Sequence, residues 1–183
     1  MTDDLVGTPQ GFAMTPGNEA APRIAKSPVT WATLDTMRVG RWGEQFVAMA
    51  LTKAGLDVYL PAVDDRSIDM LVRLDGDPVR FAEFQVKTVR LARPSYIFMR
   101  KRLFPIGPSR YVALVVLIEG QSDPEIFLIP AAAWVDPKAP FVSRDYVDRK
   151  SEPEYGLTVS LAVLPHLDPY RFGTQISTLT AGV

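Results

Sequence analysis

The chain has no cysteine and only one histidine, His166. Without cysteine there are no thiolate metal sites, thiol nucleophiles or disulfides, which fits a reducing compartment. A lone histidine excludes nucleases that use a histidine pair within one chain, and leaves zinc only carboxylate-dominated sites. His166 lies between Pro165 and Leu167, far from the polar motifs described below, and reads as structural. No GxxxxGK[ST] occurs, so a P-loop is absent. The longest unbroken apolar run, Tyr111 to Ile118, has eight residues, whereas a membrane helix needs about 20. The start, Met1-Thr2-Asp3-Asp4, is acidic and no apolar run follows it. No signal peptide is expected, and the protein is expected to be cytoplasmic.

Neither sign of charge dominates, the formal net charge being −1 over 183 residues. Its distribution is uneven. Between Lys87 and Arg110 lie seven basic residues and no acid: Lys87, Arg90, Arg93, Arg100, Lys101, Arg102 and Arg110. Such a run is either a solvated basic face or a local attractor for phosphate on a near-neutral protein.

Residues 1–30 are rich in Pro, Gly, Thr and Ala without periodicity and read as a disordered tail. That leaves 31–183 as one α/β domain. A domain of about 150 residues buries roughly 68–70% of its unfolded surface and needs no staple. From about Leu34 the pattern is helical and ends at Gly55, a C-cap glycine. Leu56 to Leu60 reads as a short strand stopped by Pro61. Ile68 to Leu74 and Val79 to Val89 read as a hairpin around the turn Asp75-Gly76-Asp77-Pro78. Tyr111 to Ile118 is the pattern of a central buried strand. Glu125 to Ile129 pairs back on it after a turn at Gln121 to Pro124. Short helices are expected at Ala131 to Trp134 and Pro165 to Arg171, and a last strand at Leu157 to Leu161. The sum is an α/β sheet flanked by helices.

Three places on this frame carry candidate chemistry. In the third strand Phe84 and Val86 share the core face, whereas Glu83, Gln85 and Lys87 share the other. In the second, Asp69 is opposite in facing to Ile68, Met70 and Val72. Alternation alone also fits half-buried strands with polar groups outward. On the helix, Glu44, Val47, Ala48 and Leu51 stand at i, i+3, i+4 and i+7, so a carboxylate lies in line with apolar residues. A buried charge needs a partner: Arg41 or Lys87 as an ion pair, or a functional site. Gly40 and Gly43 precede Glu44, and helix glycines cost about 1 kcal/mol each relative to alanine, which suggests close backbone approach.

Gly40-Arg41-Trp42-Gly43-Glu44, Gly55, Pro61, Ile68-Asp69 and Phe84-Gln85-Val86-Lys87-Thr88 together resemble the PD-(D/E)xK nuclease superfamily. The similarity is closest to its small endonuclease-like and Holliday-junction-resolvase-like branches, over about residues 36–135. The resemblance implies a restriction-endonuclease-like core: helix, three-stranded meander, helix and strand, with a mixed sheet. It implies a metal-dependent endonuclease in which Glu44 is the helix acid, Asp69 the motif aspartate, Gln85 the residue at the (D/E) position and Lys87 the lysine. A neutral Gln85 departs from the pattern, removing one negative charge and weakening metal affinity. Glu83, two residues back, lies roughly 6–7 Å away along the strand and reaches the site only through a water or a shift.

Phosphodiester hydrolysis needs an activated water and neutralised phosphate charge. Asp69, Glu44, the Gln85 amide oxygen and the Val86 carbonyl are hard oxygen ligands suited to Mg²⁺ or Mn²⁺. Lys87 orients water or stabilises the phosphorane. Arg66, Arg90, Arg93, Arg100, Lys101 and Arg102 are the candidate nucleic-acid contacts. Tyr96 and Phe98 stack on bases or pack in the core. Asp64 and Asp65 read as a polar loop. DNA is the expected partner, with a homodimer as the simplest way to cut two strands. The alternative is a nucleic-acid-binding or interaction module that keeps the fold without turnover.

Overall fold

The computed structural model describes residues 30–63, 66–146 and 151–181. The segment read as a tail, apart from Thr30, and the Asp64-Asp65 loop lie outside the described residues. Helix α1 (Thr36–Lys53) is opened by Asp35, whose side chain accepts from the Arg38 N–H at 2.8 Å. It is closed by Gly55 in the left-handed region at φ +87°, where glycine carries no Cβ penalty. Its buried stripe is Val39, Gly43, Val47 and Leu51.

Strands β1 (Asp57–Tyr59), β2 (Met70–Leu74) and β3 (Arg80–Arg90) form an antiparallel meander. Strand β4 (Ser95–Arg100) leaves this sheet, and β5 (Arg110–Leu117) returns to pair parallel with β3. Strand β6 (Glu125–Pro130) closes the sheet antiparallel to β5, giving the order β1-β2-β3-β5-β6. A second, antiparallel sheet has the order β4-β8-β7, from β7 (Phe141–Arg144) and β8 (Glu154–Val159). The turns Ala131–Trp134 and Leu164–Tyr170 are 3₁₀, and α2 (Phe172–Ala181) ends the described chain.

Each face of the larger sheet has its own core. Met70, Val72, Phe84, Ala113 and Val115 pack under α1 with Val47 and Leu51. Val89, Val112, Leu114, Val116, Phe127 and Ile129 pack against Ile97, Met99, Leu157 and Val159 of the second sheet. The opposite facing of Phe84 and Gln85 expected from alternation is therefore what divides the two cores.

Several expectations need correction. The link between the parallel strands β3 and β5 is strand β4 and a turn where the resemblance implied a helix. The last strand runs Glu154–Val159, earlier than Leu157 to Leu161. Ile68 and Asp69 precede β2 instead of lying within it. Strands β4 and β7 and helix α2 had no counterpart in the sequence reading. In β4, Tyr96 and Phe98 alternate with buried Ile97 and Met99, a strand pattern inside a stretch read for its charge.

Candidate functional site

Asp69 sits one residue before β2. Its N–H donates to the Phe84 carbonyl at 2.9 Å. Its carboxylate accepts from the Val86 N–H at 2.5 Å. The side chain thus takes the place that a further β2 residue would hold in the ladder, and it is fixed beside Gln85 and Val86. Gln85 is buried at 7% exposure, and its amide oxygen has no hydrogen-bond partner among the described residues. An unmatched buried acceptor costs about 1–3 kcal/mol, so the position is poorly suited to a purely structural amide. Lys87 is half-buried two residues further on, on the same face of β3.

Glu44 reaches the site from α1. It lies at the edge of the buried stripe, its side chain 31% exposed, and it is paired with Arg41 at 2.8 Å. It is therefore not buried in line with Val47 and Leu51 as its spacing suggested. Glu44 and Asp69 line one cleft of about 550 Å³, with Met37, Gly40, Arg41 and Leu60. Gln85 and Lys87 are not among the residues lining this cleft. Of the two glycines, Gly43 is the one closely approached by β3: a Cβ there would fall 1.8 Å from the Thr88 hydroxyl oxygen, whereas at Gly40 it would meet none of the described residues within 4 Å.

As to a divalent cation, two carboxylates, an amide oxygen and a carbonyl form a hard-oxygen donor set. The unpartnered Gln85 oxygen fits such a role. Among the described residues no group of three or more His, Cys, Asp or Glu side chains is placed to hold a metal. Of these donors, Glu44 and Asp69 share the cleft described above.

The basic run is largely engaged within the protein. Arg90 donates to the carbonyls of Trp31, Ala32 and Leu34 at 3.1, 3.2 and 2.7 Å, tying that segment to the sheet. Lys101 pairs with Asp145 at 2.7 Å, Arg102 with Glu152 at 2.9 Å and Arg100 with the same Glu152 at 3.6 Å. Arg93 is exposed and lines a separate, larger cleft of about 910 Å³ with Leu91 and Tyr96. Arg66 is exposed beside the Asp69 turn. Tyr96 donates to Glu154 at 2.8 Å, and burial together with that acceptor pushes its hydroxyl up to about 12. Phe98 is 46% exposed. His166 is exposed on a groove with Phe141 and Val142, in keeping with its distance from the motifs.

One supporting residue escaped the sequence reading. Arg110 was counted in the basic run, yet it is 4% exposed. It pairs with Glu83 and donates to the carbonyls of Leu103 at 2.6 Å and Arg66 at 3.2 Å. It therefore braces the turn that leads into Asp69, where Ser67 adopts a left-handed φ of +53°. It also occupies Glu83. The legible signal was its place at the head of a wholly apolar strand.

Helix α1, the β1-β2-β3 meander and parallel β5 form a mixed α/β core. No family model matches the sequence, and no curated protein matches it. Among solved structures, the chain is similar to the bacterial homing endonuclease I-Ssp6803I, with a TM-score of 0.49 at 16% identity over 81% of this chain and 96% of that one. It is also similar to Hjc, a Holliday junction resolvase from the archaeal hyperthermophile Archaeoglobus fulgidus, with a TM-score of 0.38 at 12% identity over 67% of this chain and 91% of that one. No helix among the described residues is long and apolar enough to cross a membrane.

Proposed function

We propose that the protein is a metal-dependent endonuclease that hydrolyses phosphodiester bonds in DNA. The observation that carries this is the convergence of Glu44 and Asp69, from different elements, on one cleft beside the strand bearing Gln85 and Lys87. Mg²⁺ or Mn²⁺, held by Asp69, Glu44, the Gln85 amide oxygen and the Val86 carbonyl, would supply neutralising charge for the phosphate and a more acidic water. Asp69 is held by its bond to the Val86 N–H, which fixes its orientation before any ligand arrives. Lys87 supplies a fixed ammonium for charge that develops on phosphate oxygens, or orients the attacking water. Arg66, Arg90, Arg93, Arg100, Lys101 and Arg102 would add to a field that attracts a polyanion.

A second reading is a non-catalytic nucleic-acid-binding or interaction module. It is favoured by the neutral Gln85 and by the lack of a three-acid cluster among the described residues. A nicking assay on plasmid and branched DNA with Mg²⁺ or Mn²⁺ separates the two. Wild type should cut, and Asp69→Ala and Lys87→Ala should lose at least about a hundredfold in rate. Equal cleavage by all three proteins sinks the nuclease, and metal-independent binding without cleavage supports the module.

A further inference from the structure

The cations expected to meet DNA are mostly committed elsewhere, on backbone carbonyls or on Asp145 and Glu152. The cleft itself offers another. On α1, Met37, Gly40, Arg41 and Glu44 stand at i, i+3, i+4 and i+7, one face of the helix, and all four line the cleft that Asp69 closes from the sheet. Arg41 is 69% exposed and pairs with the candidate site acid Glu44, three residues away. Exposed pairs of this kind are weak and exchange readily with another anion. Gly40 is a helix-interior glycine with no neighbour within 4 Å of an added Cβ. Nothing among the described residues requires glycine there, unlike Gly43. The open space is on the cleft side, and the lip carries exposed Met37 and Leu60.

We infer that this face of α1 is a binding wall for one sugar–phosphate strand of DNA, with Arg41 taking a phosphate and Gly40 leaving room for the strand to lie against the helix. This rests on the nuclease reading for the choice of ligand, but it concerns binding and not turnover.

The test uses the full chain and a short fluorescein-labelled DNA duplex, with anisotropy read in EDTA across a salt series and a thermal melt alongside. Arg41→Gln should weaken binding about tenfold at low salt and reduce the slope of log K against log salt by about 0.9, one phosphate's worth. Gly40→Ala should raise Tm by about 2–4 °C, as a helix glycine replaced by alanine does, yet weaken binding about tenfold. Gly173→Ala is the matched control, a helical glycine in α2 that also has nothing within 4 Å; it should leave binding unchanged. Wild-type binding by both cleft variants overturns the wall, as does a wild type that binds no DNA. A wild type that binds but never cuts overturns the nuclease alone and leaves the wall standing.

Discussion

Gln85 is an uncharged side chain buried on β3, and among the described residues its amide oxygen meets no donor. Its oddity was legible: an amide stands where the resemblance implies an acid. Its burial, and the lack of a partner for its oxygen, were not legible, because they depend on the second sheet covering that face of β3. The chemistry gives a signed prediction. Gln85→Glu puts a carboxylate into a buried position, and without a cation this should lower stability by about 1–3 kcal/mol. Adding Mg²⁺ should restore the loss by binding only the folded state, and the Mg²⁺ concentration for half-maximal cleavage should fall about tenfold, since added ligand charge tightens such sites. Urea unfolding with EDTA and with Mg²⁺, together with a metal titration of nicking, reads both effects. Stability that ignores Mg²⁺ would place Gln85 outside the metal site. Arg110 shows the converse limit. Its charge was visible, but a lone arginine in a basic run does not disclose that Glu83 stands next to it across a parallel strand pair.

At the scale of elements, periodicity served well wherever one face met one core. Helix α1, the meander and β5 follow from apolar spacing and turn residues. Strand β4 did not, because its alternation was short and lay among arginines, and because its partner β8 is more than fifty residues away. The contact between α1 and β3 was anticipated from two glycines, and only one of them makes it. Gly43→Ala would gain helix propensity, but its Cβ must displace Thr88. A net loss of about 1–3 kcal/mol is expected, as for other overpacked cores. In the background of Thr88→Ala, which removes the clashing hydroxyl, most of that loss should vanish; a double-mutant cycle by urea unfolding measures it. The β4–β8 pairing has its own titration. Tyr96 holds its proton to about 12 when folded, against about 10 when unfolded. The raised value means that its contribution is fully present below about pH 10 and is lost as pH rises through 12. Thermal melts from pH 9 to 11.5 should show wild type falling more steeply than Tyr96→Phe.

For the whole molecule, the decisive quantity is how much basic charge faces outward. The count of cations from Lys87 to Arg110 overstated it, because the acids that answer them come from residues 145–154, far along the chain. The Glu152 carboxyl is held below its ordinary range by the hydrogen bond from Arg102 and by the Arg102 and Arg100 charges, so it stays ionised and keeps both arginines partly screened at neutral pH. Surface pairs of this kind diminish a field without abolishing it. If β4 and the turn after it pass along a phosphate backbone, Glu152→Gln should tighten DNA binding several-fold at low salt, by unmasking two cations, and should steepen the salt dependence. Arg100→Glu with Arg102→Glu should do the opposite, flattening the slope by up to about 1.8. Fluorescence anisotropy over a salt series measures both. An identical slope in all three proteins removes this segment from the interface, and the approach of DNA then falls to the cleft between α1 and Asp69.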